Sequence, residues 1–337
     1  MSTMMSVPDA LSRARDAVRP AMVAAVERLN QELGRIAAYH LGWCDERGVP
    51  SARGGGKGVR PALAVLSAEA AGADAAVGVP GAVAVELVHN FSLLHDDVID
   101  GDRERRHRPT VWALYGVGPA VLVGDALVTL GNQVLLEHGP AGAAACAELN
   151  DAVAAMIGGQ ADDMAFEGRA DVGIEECLGM VAGKTGALLS CAAAIGAVLA
   201  GAPAPVVDSL HRYGAHLGVA FQAVDDILGI WGDPERTGKP RGNDLSTRKK
   251  SLPVVFAFGA GEPGAQLRRL LLNGPLDAEA VARATELVEG CGGRQATEAL
   301  AREHLDAACR SLDEAGLAGA AAAELSDLAR FVVEREF

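Results

Sequence analysis

The chain has 337 residues, half of them hydrophobic but only 4% aromatic, and a formal net charge of −14. Such a length builds one large domain or two small ones, with a core of Ala, Val and Leu rather than rings. So acidic a balance argues against nucleic acid, which demands clustered basic surface; to bind an anion, the protein must gather positive charge locally or borrow it from metal ions.

Met1 to Asp9 carries no basic-then-apolar signal pattern, and residues 1–10 are expected to be flexible. Leu11 to Leu41 reads as one amphipathic helix, with Val18, Met22, Val26, Leu29 and Leu33 at helical spacing and Pro20 near its start. Ser51 to Gly58 is a glycine-rich loop leading into Val59-Arg60-Pro61, and Ala62 to Ala71 is helical. A helix over Val77–Asp100 comes next, then a basic loop, Arg103 to Pro109, then the apolar helix Val117–Leu136.

Further helices are predicted at Ala141–Glu167, Ile174–Leu199, Val206–Trp231, Leu252–Phe258, Pro263–Leu272, Ala278–Gly290, Thr297–Ala315 and Ala318–Glu334. No run alternates with period two, and no Asn-Gly or Asp-Gly turn separates such runs. The expected fold is all-α: a single domain over 1–337, one large helical bundle without an obvious linker. Thr185 to Val207 is free of charge, yet it is rich in Ala and Gly and broken by Pro203 and Pro205. It reads as a buried core helix rather than a membrane span. The six cysteines show no CxxC and no metal-like spacing, as expected of free thiols in a reducing cytoplasm.

Two acidic clusters end apolar helices. Asp96, Asp97 and Asp100 close the run from Val83, and Asp225-Asp226 closes the run from Leu217, about 130 residues later. On a helix Asp96 and Asp100 share a face, with Asp97 about 100° round. Carboxylates so close repel one another unless a cation lies between them, and hard oxygen ligands with room for water and phosphate suit Mg²⁺. A single such cluster is as well explained by a solvated helix end. Two clusters could face each other and clamp a polyphosphate through metal ions. Basic groups flank both: Lys57 and Arg60 after Gly54-Gly55-Gly56; Arg103, Arg105, Arg106 and Arg108; Lys184-Thr185; and Lys239, Lys249 and Lys250. Singly these are ordinary surface; together they suggest two anionic ligands, one bridged by Mg²⁺ and one held directly by Lys and Arg.

The ordered blocks Gly56-Lys57-Gly58-Val59-Arg60-Pro61, Glu86-Leu87-Val88-His89, His95 through Asp100, Arg105-Arg106-His107-Arg108-Pro109-Thr110, Gly159-Gln160-Ala161-Asp162-Asp163, Lys184-Thr185-Gly186, Phe221-Gln222 through Asp225-Asp226, Thr237-Gly238-Lys239 and Lys249-Lys250-Ser251-Leu252-Pro253 resemble the trans-isoprenyl diphosphate synthases, the family of farnesyl and geranylgeranyl diphosphate synthases. The resemblance runs from about Gly54 to Phe258 and more weakly to the end.

It implies the isoprenoid synthase bundle with a central active-site cavity, and a role for each matching residue. Asp96, Asp97 and Asp100 would bind two Mg²⁺ on the allylic diphosphate, and Asp225 with Asp226 a third. Arg105, Lys184 and Lys239 would hold the allylic diphosphate, with Thr185 beside Lys184. Lys57, Arg60, His89 and Arg106 would hold isopentenyl diphosphate, and Gln222 would line the site. The expected reaction is head-to-tail prenyl transfer in a cytoplasmic homodimer, its interface sought at the Val117–Leu136 helix. Metals and cationic side chains would stabilise the departing diphosphate, and apolar walls would shield the allyl cation from water.

Three positions depart from the family pattern. Gly229 stands where a third Asp normally closes the second acidic motif, which weakens the third metal unless Asp244 compensates. His107 replaces a usual Gly, and Gly58 a usual basic residue. Product length would be set along the helix bearing Asp96: Ser92 is small, Phe91 a bulky stop, Val88 and Val85 modest obstacles. That pattern resembles synthases stopping at C20; the simpler reading of Phe91 is core. Farnesyl and longer-chain synthases remain alternatives, as does an inactive subunit of a heteromeric synthase. A class I terpene cyclase would want a Glu where Ser251 stands, after Asn243 and Thr247, and the acidic spacing of squalene-type enzymes is absent.

Overall fold

The computed structural model describes residues 9–51, 58–169, 171–234, 240–273, 276–317 and 319–334. Of residues 1–10, expected to be flexible, 1–8 lie outside them, as do most of the glycine-rich loop with Lys57, and Lys239; residues 9 and 10 instead open a helix. Among the described residues the regular elements are helices, apart from one hairpin with two residues in each strand and an isolated bridge between Cys44 and Pro50. It forms two compact units: Met1–Val153 with Cys191–His211 and Leu312–Phe331, and Ala154–Ser190 with Arg212–Ser311 and Val332–Phe337.

In the first unit, α1 (Asp9–Val26) and α2 (Gln31–His40) replace the single helix expected over Leu11–Leu41. The break is made by Asn30, whose side-chain oxygen accepts from the Leu33 amide at 2.9 Å and so caps a new helix. Helices α3 (Val59–Ala70) and α4 (Ala75–Ile99) follow, the latter capped by Asp74 through a 2.8 Å bond from Ala76 N.

Helix α4 is the axis of this unit. Val83, Ala84, Val85, Leu87, Val88 and Leu94 are at most 1% exposed, each worth roughly 1.5–3 kcal/mol for a Val or Leu removed from water. Its Gly78 lets the α3 backbone approach; a Cβ there would meet Ala64 O at 2.6 Å and Val65 Cα at 2.9 Å. After α4 come the hairpin β1 (Glu104–Arg105) and β2 (Arg108–Pro109), then α5 (Val111–Tyr115) and α6 (Val117–Leu136). The hairpin corrects the expectation of an irregular basic loop; two residues per strand are too few for an alternating pattern to be seen.

Helix α6 buries Val123, Leu127, Leu130 and Leu135 but leaves Val117, Leu122 and Leu136 half or more exposed. Among the described residues three helical stretches are long and apolar enough to cross a membrane: Ala75–Ile99, Val117–Leu136 and Ile174–Leu199. The most apolar windows of the first and third are 61% buried inside the protein, that of α6 only 44%.

Helix α7 (Gly139–Phe166) passes from the first unit into the second. The helix expected over Ile174–Leu199 is interrupted: α8 (Ile174–Val181) runs through a π-helical turn, Ala182–Gly186, into α9 (Ala187–Leu199). Helix α10 (Ala204–Trp231) is followed by a single turn, α11 (Asn243–Ser246), too short to leave a periodic pattern. Then come α12 (Leu252–Phe258), α13 (Gly261–Leu272), α14 (Ala278–Gly290), α15 (Gly293–Glu314) and α16 (Ala320–Glu334). Ile230, Leu245, Val254, Phe258, Leu267, Leu271 and Val288 form the apolar core here. All six cysteines are free thiols, four of them buried.

Candidate active site

The first acidic cluster divides by burial. Asp96 is half-buried and Asp100 exposed, one turn apart at the end of α4, while Asp97 is 1% exposed. Arg105 on β1 turns back to Asp97, its Nε donating to Oδ1 at 2.7 Å. Burial pushes the Asp97 carboxyl above its ordinary range, and Arg105 opposes that rise. The other oxygen, Oδ2, is buried with no hydrogen-bond partner. An orphaned carboxylate oxygen beside two accessible carboxylates fits Mg²⁺, which is bound through one or two carboxylates and keeps positions for water and phosphate. Among the described residues no three or more His, Cys, Asp or Glu side chains are grouped so that they alone could hold a metal ion.

The hairpin aims the arginines. Its register pairs Glu104 with Pro109 and Arg105 with Arg108, leaving Arg106 and His107 as a two-residue turn. Both have positive φ, 52° and 59°, the mirror-image turn normally built from Asn and Gly. This explains the expected glycine at 107: His107 holds a left-handed conformation that costs a non-glycine residue free energy.

The turn is held from outside. Arg108 stacks 4.2 Å from the Tyr39 ring centroid and donates to Tyr39 O at 3.1 Å and Cys44 O at 2.9 Å, and Tyr39 donates its hydroxyl to Pro109 O at 2.7 Å. Thr110 and Trp112 both donate to Asp102 O, at 2.8 and 2.7 Å. Together with Tyr39, His40, Leu93 and Asp97, residues Arg105–Val111 line a cavity of about 520 Å³.

Beside it on α3 and α4 lies a buried polar group. Arg60 Nη1 is 3.4 Å from His89 Nε2, and Arg60 Nε is buried without a partner. Burial, then Arg60 and Arg106, hold His89 well below its usual pKa, so its ring is neutral. Glu86 is shifted up by burial and receives Asn90 Nδ2 at 3.2 Å. Of the chain-length positions, Val88 is fully buried, Ser92 donates to His89 O at 2.9 Å, and Phe91 is 9% exposed, edge-on to His95 with centroids 4.7 Å apart.

In the second unit Lys184 sits in the π-turn and pairs with Asp163 at 2.5 Å. The approach of α7 depends on glycine: a Cβ on Gly159 would run into the Lys184 backbone. Thr185 donates to Gln222 Oε1 at 2.7 Å, and Gln222 Nε2 donates to Asp226 Oδ1 at 2.8 Å.

The second acidic pair divides like the first, with Asp225 exposed and Asp226 2% exposed. Lys249 Nζ reaches Asp226 at 3.3 Å, and the Leu252 amide donates to its other oxygen at 2.9 Å. Both Asp226 oxygens are thus occupied within the fold. Burial opposes the charge on Lys249, but Asp226, Asp244, Asp225 and Asp163 hold its pKa well above the ordinary lysine value.

The structure therefore brings Asp97 to Arg105, Arg60 to His89, and Lys184, Thr185, Gln222 and Asp226 into bonded chains. Sequence reasoning gave no individual role to Asp163, to Lys249 (counted only among the basic groups that suggested anionic ligands) or to His40. The first two stand inside quoted motifs and were legible as charges; His40 stands in no motif.

The polyprenyl synthetase family profile matches residues 43–288. A (2E,6E)-farnesyl diphosphate synthase of Mycobacterium tuberculosis is 47% identical over 332 residues, 97% of this chain and 92% of the relative. A geranylgeranyl diphosphate synthase of the same organism is 43% identical, over 90% and 88%. The crystal structure of a polyprenyl synthetase from Streptomyces coelicolor A3(2) superimposes with TM-score 0.92 at 50% identity, covering 97% of this chain and all of that one. The chain belongs to the polyprenyl synthetase family and is a prenyltransferase of the all-α isoprenoid synthase fold.

Proposed function

We propose that this prenyltransferase condenses isopentenyl diphosphate head-to-tail with allylic diphosphates, acting as one catalytic domain. The observation that carries the reading is the Arg105–Asp97 pair, a guanidinium fixed on a buried carboxylate whose second oxygen has no partner. Asp96, Asp97 and Asp100 would hold two Mg²⁺, and Asp225 a third. Asp226, also expected as a ligand, has its oxygens committed to Gln222, Lys249 and Leu252, so its role is to fix the Asp225 turn. Bound there, Mg²⁺ would neutralise charge on the departing diphosphate.

Arg105 and Lys184 orient the allylic diphosphate, joined by Lys239, while Arg60, His89 and Arg106, joined by Lys57, hold isopentenyl diphosphate. Neutral His89 offers its ring N–H without adding charge. Gln222 ties Thr185 to Asp226 and so keeps the Lys184 turn in place. The double bond of isopentenyl diphosphate attacks the allylic carbon, and a proton then leaves, the released diphosphate being the base at hand.

The proposed product is C20, with Phe91 as the floor of the chain pocket; a second reading, C15, is supported by the likeness to the mycobacterial farnesyl diphosphate synthase. The exposed apolar side chains of α6 support a homodimer, and the free cysteines a cytoplasmic location.

The test is to incubate purified protein with Mg²⁺, isopentenyl diphosphate and each of the C5, C10 and C15 allylic diphosphates, and to size the dephosphorylated products by mass spectrometry. A dominant C20 alcohol is expected. A C15 product would keep the reaction and select the second reading; no elongation with any primer would overturn the enzyme and favour an inactive subunit.

A further inference from the structure

Helix α2 ends at His40, whose side chain lines the cavity beside Arg105, Arg106 and Arg108. Its Nε2 is buried and has no hydrogen-bond partner. In the same unit that condition also holds for Arg60 Nε and Asp97 Oδ2, both given to ligands by the proposed function. Glu148 Oε2, likewise buried, at least faces His211 Nε2 at 3.2 Å. A buried polar atom without a partner costs free energy, and fixed unpaired groups are found where a ligand completes them.

The ring's other nitrogen is accounted for. Asn90 commits its Nδ2 to Glu86 O at 2.8 Å and Oε1 at 3.2 Å, which leaves its amide oxygen to accept from His40 Nδ1–H. Nε2 is then the free end of the ring. The charged groups around it are Arg105, Arg106 and Arg108 from the hairpin, with neutral His89 beyond on α4. Burial and these arginines hold the ring neutral, with a pKa near 3.

We propose that His40 is a further binding residue for the diphosphate that Arg60, His89 and Arg106 hold. This rests on the proposed function. An arriving diphosphate gives the buried ring an anionic partner that opposes the cost of burial and offsets the arginine charge, the ring takes one proton from solvent, and Nε2–H donates to a phosphate oxygen while Nδ1–H stays on Asn90. No covalent bond changes; one proton moves from water to His40 for each diphosphate bound.

Isopentenyl diphosphate binding to the intact enzyme, measured by calorimetry in buffers of different ionisation enthalpy, tests this. His40→Ala is expected to weaken binding about tenfold, and His40→Gln, which keeps an N–H donor, by no more than about threefold. Proton uptake should fall by about one per site in both. Affinity for an unreactive allylic thiolodiphosphate should stay within about twofold.

Unchanged proton uptake in His40→Gln, or equal weakening for both ligands, would overturn the role. If His40→Ala does not fold, the proton count in His40→Gln decides alone. Absence of isopentenyl diphosphate binding by the unsubstituted protein would sink the proposed function itself, an outcome separate from any effect of the variants.

Discussion

The carboxylate of Asp244 lies against the Cα of Gly229, in the space a Cβ at 229 would occupy. Where the family pattern expects a third Asp on α10, this chain supplies a carboxylate from α11, tied through Lys249 at 3.8 Å. Restoring the pattern with Gly229→Asp would force two like-charged groups into one space. We expect it to destabilise the protein by about 1–3 kcal/mol, as overpacking does, and to weaken Mn²⁺ binding. Gly229→Asp with Asp244→Gly should recover both. A melting midpoint and a Mn²⁺ titration decide, and a fully stable single variant would show that the two positions are not interchangeable.

Asp97 is costly to the empty protein. Its carboxyl is shifted up by burial despite Arg105, so at neutral pH the charged form is held against its preference. Asp97→Asn is therefore expected to raise the midpoint of the metal-free protein by a few degrees. Added Mg²⁺ should stabilise the parent by about 2–3 kcal/mol at a hundredfold excess over Kd, and the variant far less. A variant that gains as much from Mg²⁺ as its parent would remove Asp97 from the metal ligands.

Phe91 separates core from chain-length control. Truncation to Ala removes a buried ring edge-on to His95 and should cost about 3–5 kcal/mol. If the ring is also a floor, products lengthen beyond those of the parent, and Ser92→Phe, one position nearer Asp96, shortens them. Mass spectra of dephosphorylated products report both. An unchanged product from a folded Phe91→Ala would leave the residue to packing alone.

Acid sensitivity should begin in the histidine range. His40, His89, His216 and His304 all have pKa values below the ordinary 6.5, burial being the first cause of each. A base depressed on folding contributes stability that is whole above its unfolded pKa and is lost as pH falls below it. The loss therefore starts near pH 6.5, at up to about 1.4 kcal/mol per pH unit for each of His40 and His89. Glu86 and Asp97, shifted up, act in the opposite sense. His216 and His304 share a 3.0 Å Nδ1–Nδ1 contact, so His304→Gln should lower the midpoint at pH 7.5 and flatten the fall toward pH 5.5. A midpoint that is level from pH 7 to 5.5 in the parent would refute this.

Most of the helices were legible because α4, α6, α12 and α14 carry apolar faces that run unbroken to Gly, Asp or Pro. The misses have local causes: Asn30 capping inside an otherwise periodic stretch, four residues of α11, and a hairpin of two-residue strands. At the site, charges in motifs declared themselves. What sequence did not reveal was the division of labour within each acidic cluster. Asp97 and Asp226 are buried and bonded while Asp96, Asp100 and Asp225 face outward, and neighbours in sequence do not announce on which side of a helix the hydrogen-bond donors lie. His40 was invisible for the same reason, since only folding sets it against the arginines.

The π-turn at Ala182–Gly186 closes its backbone hydrogen bonds one residue further along the chain than the α-helices on either side. Deleting a single residue there would leave α8 and α9 a more regular rod, with its backbone hydrogen bonds in ordinary register. It would also swing Lys184 and Thr185 about 100° away from Asp163 and Gln222. The irregular turn thus gives up regular backbone register and in return places two neighbouring side chains on partners from two different helices.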